Sequence, residues 1–381
     1  MEKDKYFGIS SRIARWKDSS EFEGRLTEAA ENSWEARRLY AEYYRQLDHE
    51  YYDKGKEFAY SLYVANNDQT KPEDFDETYV DMVYCLHRYG LSFQDYCIYS
   101  LQNKSEYCRK QFVGDKLRYH YCDILNAHHI KALMADKYAC YKAYRPFFKR
   151  EVVPLRNVED KGKFLRFAES NERFIYKPMT DHSGHGVILV RTRDINPEEW
   201  FDTVITEKSG VAEELIVQGE ELNRLNPNAV NTCRIVTFTI GKEVHIIGAT
   251  LRIGVGDSIK DNAGSGGIYA SIDPKSGIIQ SDAKNYNNRH FLYHPTTHTQ
   301  IVGFKLPEWD NAKETITAIA TAFEGTTLIA WDIAFSNKGW CLVEANENGD
   351  WSIIQSNLEK GKKRELYTLM DEYFQEKAIS S

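Results

Sequence analysis

The sequence predicts an α+β protein with a mainly helical N-terminal region followed by a part built on antiparallel strands. Three observations carry this. Residues from about 20 to 130 are rich in Glu, Lys, Arg, Tyr and Leu, hold few glycines and contain one proline, Pro72, a composition that favours helices. After Pro154 the chain changes to short apolar, β-branched runs, which read as strands. Gly241-Lys242 between two such runs reads as a hairpin turn, so neighbouring strands run antiparallel. At 381 residues the chain exceeds the usual size of one core, and two or three units are expected.

In the helical third, the stretch Glu35 to Leu47 sets Leu39, Tyr40, Tyr43 and Leu47 at three- and four-residue steps. That spacing predicts one amphipathic face, used for packing rather than for a ligand. His120, Cys122, His128 and His129 have residue types that zinc accepts, but no second ligand pair follows at a zinc spacing, and a Tyr/His-rich helix explains them. The strands are expected at Phe174–Tyr176, Gly186–Val190, Glu214–Val217, Arg234–Ile240 and Val244–Ile247. Ala312, Ile316, Ile319 and Phe323 fall at helical spacing between Asn311 and Phe323. The segment Asp257 to Gly267, near Gly256 and containing Gly264, Gly266 and Gly267, reads as a mobile loop over a site.

Composition bounds the function. With 42% apolar residues, 28% charged residues and a formal charge of -8, the chain is not a non-specific nucleic-acid binder. No apolar run approaches membrane-spanning length and the first residues lack the apolar centre of a secretory signal, so no membrane insertion and a cytoplasmic location are expected. Seven scattered cysteines without a CxxC pair suit free thiols.

Three constellations carry chemistry. In Tyr176-Lys177-Pro178 to Ser183-Gly184-His185-Gly186, a strand ends in lysine and passes into a small-residue turn, the form of a phosphate cradle. From Trp331 to Gly349, two apolar strands flank a glycine turn. Glu344 and Asn346, two residues apart, project to one side and Asp332 can face them across the hairpin, a hard-oxygen set suited to Mg²⁺. Glu213 to Glu220 is an apolar strand bounded by acids and a glycine.

In this order the segments resemble the ATP-grasp superfamily, and within it the sugar-transfer-associated ATP-grasp family, whose relatives include glutamate-ligase-like proteins and polysaccharide-modifying enzymes. The likeness runs from about Tyr89 to Ile354. It includes Tyr89-Gly-Leu-Ser-Phe-Gln-Asp-Tyr96, Asp136-Lys137-Tyr138, Asn231-Thr-Cys-Arg234, Gly266-Gly267-Ile268, His294-Pro-Thr-Thr297 and the Trp331 to Gly349 hairpin.

The resemblance implies an ATP-grasp fold, two α+β lobes clasping ATP. These would divide the chain into a helical region at 1–130, a first lobe at 131–218 and a second lobe with the metal site at 219–381. It implies that Lys137 and Lys177 contact ATP phosphates under the turn Ser183, Gly184 and Gly186. Glu214, Leu215 and Ile216 would line the adenine, and Gln218 or Glu220 would take the ribose. Asp332, Glu344 and Asn346 match the family's metal positions, and Arg252 matches a basic position near the transferred phosphate. Arg234, Asn231, Asn262, Gly266, Gly267 and His294 are candidates around the acceptor. The turn departs from the family in carrying His182 and His185 where many members have more glycine. The activity implied is a carboxylate–amine ligase using ATP and Mg²⁺ on a small-molecule, saccharide or peptide-type substrate. A phosphotransferase acting on a hydroxyl is the alternative, because this fold also serves kinases.

Overall fold

A computed structural model describes residues 21–66, 75–179 and 186–380. Two compact units divide the chain. One takes the residues up to Tyr121, Tyr286–His290 and the segment from Asp350; the other takes Cys122–Asn285 and Phe291–Gly349.

The first unit is helical, as its composition requires, with long helices at Trp34–Leu47, His49–Asn66, Phe75–Tyr89 and Lys363–Ser380. Ser33 caps the first of these by accepting from the Ala36 amide at 3.3 Å. The buried stripe of that helix is Tyr40, Ala41 and Tyr44, while Leu39 and Leu47 are 64% and 58% exposed. This corrects the expected face. Aromatic and apolar residues surround most of the helix, so periodicity alone could not choose between adjacent stripes; stacking of Tyr44 on His87, at 3.5 Å between centroids, belongs to the stripe that packs. The buried Asp81 is held by Arg37 at 2.7 Å and by both Arg109 Nη atoms at 2.9 and 2.7 Å. The Gln355 amide fastens the C-terminal segment by bonding both backbone groups of Val113 at 2.9 Å. Residues from Asp350 onward therefore cluster with the N-terminal helices, although they follow the second lobe in sequence.

The second unit contains two sheets whose strands are β1 (Val152–Leu155), β2 (Arg173–Pro178), β3 (Ile188–Arg191), β4 (Gly210–Glu214), β5 (Thr232–Ile240), β6 (Glu243–Ile253), β7 (Ile268–Ile272), β8 (Ala283–Lys284), β9 (His290–Phe291, of which Phe291 belongs to this unit), β10 (Leu328–Ser336) and β11 (Gly339–Asn346). The smaller sheet has the order β1-β4-β2-β3 and the larger β11-β10-β5-β6-β7-β8-β9. Phe164, Phe167, Phe174 and Phe201 pack behind the smaller sheet. Trp331, Ile333, Ile235 and Leu251 pack behind the larger one with Ile316 and Ile319, from the helix Trp309–Ala320. Phe323 lies beyond the end of that helix and is 36% exposed.

The expected strand at Glu214–Val217 is displaced. β4 ends at Glu214, and Leu215–Val217 pair with neither neighbour of β4. The chain crosses here to the larger sheet, where Asn337 donates to the Val217 carbonyl at 2.9 Å and Gly219 to that of Phe335 at 3.0 Å. Leu215 and Ile216 are half-buried and Val217 is exposed, so the run is apolar without being a strand: the partner strands decide where a ladder stops.

On the larger sheet, alternation sorts the side chains. On β5, β6 and β10 the odd positions Cys233, Ile235, Leu251 and Ile333 enter the core. The register Glu344↔Asp332, Asp332↔Arg234, Arg234↔Thr250 and Thr250↔Ser271 lays one polar row across five strands on the opposite face.

Candidate active site

The smaller sheet contributes Lys177. On β2, Tyr176 turns inward to meet Trp200 edge-on at 5.6 Å, so Lys177 projects from the other face. Its Nζ lies 3.0 Å from Oε2 of Glu213 on β4. Arg150 Nε and Nη2 bond the same oxygen at 3.1 and 2.7 Å. Burial raises the Glu213 carboxyl, but the charges of Lys177 and Arg150 outweigh it and hold the group down to about 2.

Lys137 follows Asp136, which caps its helix by accepting from the Ala139 amide at 2.8 Å and is also paired with Arg156. Its Nζ is 3.5 Å from the carbonyl of Met179, so Lys137 reaches the end of β2, the strand that carries Lys177. Ser183, Gly184, His182 and His185 lie outside the described residues. Gly186 has φ +71°, a left-handed conformation that suits glycine.

At the crossing between sheets, Leu215 and Ile216 are half-buried. Among the described residues, no backbone hydrogen bond uses their amides. Glu214 accepts from the Glu151 amide at 3.1 Å and lies 3.4 Å from Lys338. Gln218 is fully engaged: Nε2 donates to Asn223 Oδ1 and the Asn226 carbonyl, both at 2.9 Å, and Oε1 accepts from the Asn231 amide at 2.7 Å. Glu220 opens a short helix and is exposed.

The larger sheet supplies the charged floor. Asp332 is buried, with Arg234 Nε at 2.6 Å from Oδ1, Arg234 Nη2 at 3.0 Å from Oδ2 and Arg252 Nη2 at 3.0 Å from Oδ2. Burial pushes this carboxyl up, but the two guanidiniums prevail and hold it below its ordinary range. Arg252 also donates to Thr232 Oγ1 from Nε at 2.9 Å and Nη2 at 2.6 Å. Asp261 completes the cluster, accepting from the Thr232 amide at 2.8 Å and hydroxyl at 2.5 Å. Burial raises its carboxyl despite Arg252.

Glu344 is the register partner of Asp332 and is exposed; Asn346, two residues on, donates to Asp332 Oδ2 at 3.5 Å through Nδ2. Two carboxylates and a carboxamide oxygen on one face of a hairpin form the all-oxygen donor set that magnesium takes. The residues present therefore fit a Mg²⁺ ion, although among the described residues no group of three His, Cys, Asp or Glu is gathered. His120, Cys122, His128 and His129 accordingly form no such group.

The acceptor candidates divide. Asn231 is buried, its Nδ2 donating to Gln218, Leu222 and Asn226 oxygens at 3.0, 3.2 and 3.0 Å and its Oδ1 accepting from Gly254 at 3.1 Å. His294 donates from Nε2 to the Gly254 carbonyl at 2.8 Å and accepts at Nδ1 from the Thr297 amide at 3.2 Å. Both side chains are thus spent on the scaffold. Asn262 accepts from the Gly264 amide at 2.8 Å, Gly266 has φ +93°, and a Cβ on Gly267 would stand 2.3 Å from the Asp261 carbonyl oxygen. The Gly-rich loop is therefore tied at Asp261 to the strand that carries Arg234.

Sequence reasoning missed Glu213, Arg150, Thr232 and Asp261. For Glu213 a signal existed: it stands inside an apolar run, after Val211-Ala212 and one acid ahead of Leu215-Ile216, and an acid buried there requires a cation. Arg150 follows no periodicity and had none.

A model of the sugar-transfer-associated ATP-grasp family matches residues 102–368. The chain belongs to this family and has the ATP-grasp fold. No curated protein matches it. Among solved structures it is similar to an N5-carboxyaminoimidazole synthase from Aspergillus clavatus in complex with ADP and 5-aminoimidazole ribonucleotide, at 10% identity over 62% of this chain and 51% of that one, TM-score 0.37. It is similar also to an L-amino acid ligase from Bacillus licheniformis, at 13% identity over 61% and 48%, TM-score 0.36. A D-alanine–D-alanine ligase from Helicobacter pylori matches at 14% identity over 68% and 67%, TM-score 0.39. The match spans about half the length of the first two. No described helix is long and apolar enough to cross a membrane.

Proposed function

We propose that the protein is an ATP- and magnesium-dependent ligase that joins a carboxylic acid to an amine through an acyl phosphate, with a saccharide or peptide-type compound among its substrates. In this reading Lys137 and Lys177 bind the phosphates under the turn that includes Ser183, Gly184 and Gly186. Leu215 and Ile216 line the adenine, and their uncommitted amides read its edge. Glu220 rather than Gln218 takes the ribose, because Gln218 has no group to spare. Asp332, Glu344 and Asn346 hold the metal, which when bound neutralises phosphate charge.

One observation favours a carboxylate acceptor over a hydroxyl. A hydroxyl must lose its proton to a base, whereas a carboxylate attacks as it is. On the charged floor the candidate bases are already engaged: Asp332 by two arginines, Asp261 by Thr232, and His294 through both ring nitrogens. Glu344 is given to the metal. What the floor offers instead is cationic charge, with Arg252 placed to stabilise the phosphoryl group as the acid oxygen bonds to the γ-phosphorus and the bond to ADP breaks. The amine then adds to the acyl carbon, phosphate leaves with the bonding pair, and the amine loses a proton.

The test is interception. With ATP, Mg²⁺, hydroxylamine and a panel of amino acids and sugar acids, the enzyme is expected to form a hydroxamate and free phosphate with at least one acid. ADP formation with phosphate retained on an acceptor hydroxyl would replace the ligase by a phosphotransferase.

A further inference from the structure

Arg150 lies between the helix Arg145–Phe148 and β1, outside every motif that marks the site. Its side chain is 3% exposed and ends on Glu213 Oε2. The same guanidinium donates to three carbonyls: Phe148 at 3.2 Å and Leu342 at 2.6 Å from Nη1, and Val343 at 3.3 Å from Nη2. Leu342 and Val343 immediately precede Glu344 on β11. Lys177 is anchored quite differently, because among the described residues Glu213 is its one hydrogen-bond partner. One buried carboxylate oxygen therefore carries two cations, the first fixed by carbonyls of the helix Arg145–Phe148 and of β11 and the second held, among the described residues, by that oxygen alone.

The asymmetry has a consequence for nucleotide binding. A lysine that is the sole counter-charge of a buried carboxylate cannot turn to a phosphate without stranding that carboxylate. We propose that Arg150 is a positioning residue that keeps Glu213 neutralised when Lys177 is given up to the phosphates of the nucleotide. This rests on the reading of the site as an ATP site. Arg150 touches no reactant; it acts by making Lys177 releasable. The depressed titration of Glu213 agrees, because it keeps the carboxylate charged throughout the neutral range.

The test is calorimetric binding of ATP with Mg²⁺ to the full chain, with a thermal melt of each variant. Arg150→Met is expected to weaken binding by about tenfold or more, the penalty of an unpaired buried charge. Adding Glu213→Gln to Arg150→Met should restore binding to about the level of Glu213→Gln alone, since no buried carboxylate then remains to be stranded. A merely structural arginine would not be rescued by removing its partner. Binding by Arg150→Met equal to wild type, or a double variant as weak as Arg150→Met, overturns the proposal. If Arg150→Met does not fold, Arg150→Gln, also uncharged, with and without Glu213→Gln is read by the same criteria. Wild-type protein that binds no ATP overturns the nucleotide reading itself, a result distinct from a bound wild type with no rescue.

Discussion

Asp332 and Glu344 are register partners across the β10–β11 hairpin, yet Asp332 is buried between two arginines while Glu344 is exposed and enters no ion pair among the described residues. Two acids of one candidate metal site thus carry different burdens. Asp332→Asn removes the buried carboxylate that Arg234 and Arg252 share and is expected to lower stability by about 3 kcal/mol. Glu344→Gln should change stability by no more than about 0.5 kcal/mol, as surface substitutions do. Both should lose magnesium-dependent turnover. Urea unfolding beside a magnesium titration reads the two effects separately, and Glu344→Gln with an unchanged rate would remove Glu344 from the metal site.

Lys177→Ala should abolish ATP binding while leaving the fold intact. Glu213 keeps Arg150 as its partner, so no buried charge is orphaned. Calorimetry with ATP and Mg²⁺ checks the first half and the melting temperature the second; wild-type affinity would exclude Lys177 from the cradle.

Gly267→Ala places a Cβ 2.3 Å from the Asp261 carbonyl oxygen and must shift the backbone there. The shift disturbs Asp261, Thr232 and, through Thr232, Arg252. Turnover is expected to fall by about tenfold or more with ATP affinity retained, because the lysines proposed to bind phosphate lie elsewhere, Lys177 on the smaller sheet and Lys137 on the helix Lys137–Ala143. Equal losses in both would mean that the loop does not act through Arg252.

Acid stability separates two buried groups. Glu213 titrates at about 2 when folded, below its ordinary 4.5, so its contribution is present above 4.5 and is lost as pH falls toward 2. Burial lowers His87 to about 3 from 6.5, so between these values the unfolded chain takes up the proton first and stability falls as pH falls. The interval from 4.5 to 6.5 therefore belongs to His87 and not to Glu213. Asp95, raised to about 7 chiefly by burial, acts there with the opposite sign. The test is a difference: the stability deficit of His87→Gln relative to wild type at pH 7 should shrink at pH 5, and a constant deficit would contradict the shift.

Much of the molecule was legible in the chain. Strand and helix classes follow from period and composition, because a residue's side of a strand depends only on its neighbours in sequence. The nearness of Asp332, Glu344 and Asn346 was legible for the same reason, since a hairpin pairs residues that are close in sequence. The exit of Leu215–Val217 from the first sheet was not, because the end of a ladder depends on partners far away in the chain.

The sequence by itself determined the kinds of charge present, the apolar alternation of the strands, and a family membership that follows from motif order. Only the tertiary structure decided how those charges are used. It places Arg234 and Arg252, 98 and 80 residues from Asp332, on one carboxylate. It spends Asn231, Gln218 and His294 on holding backbone, and it sets Arg150 against Glu213 over a separation of 63 residues. The reason is physical: a buried charge is stable only beside its counter-charge, and which residues meet in the interior is set by sheet register and the crossing of the chain between sheets.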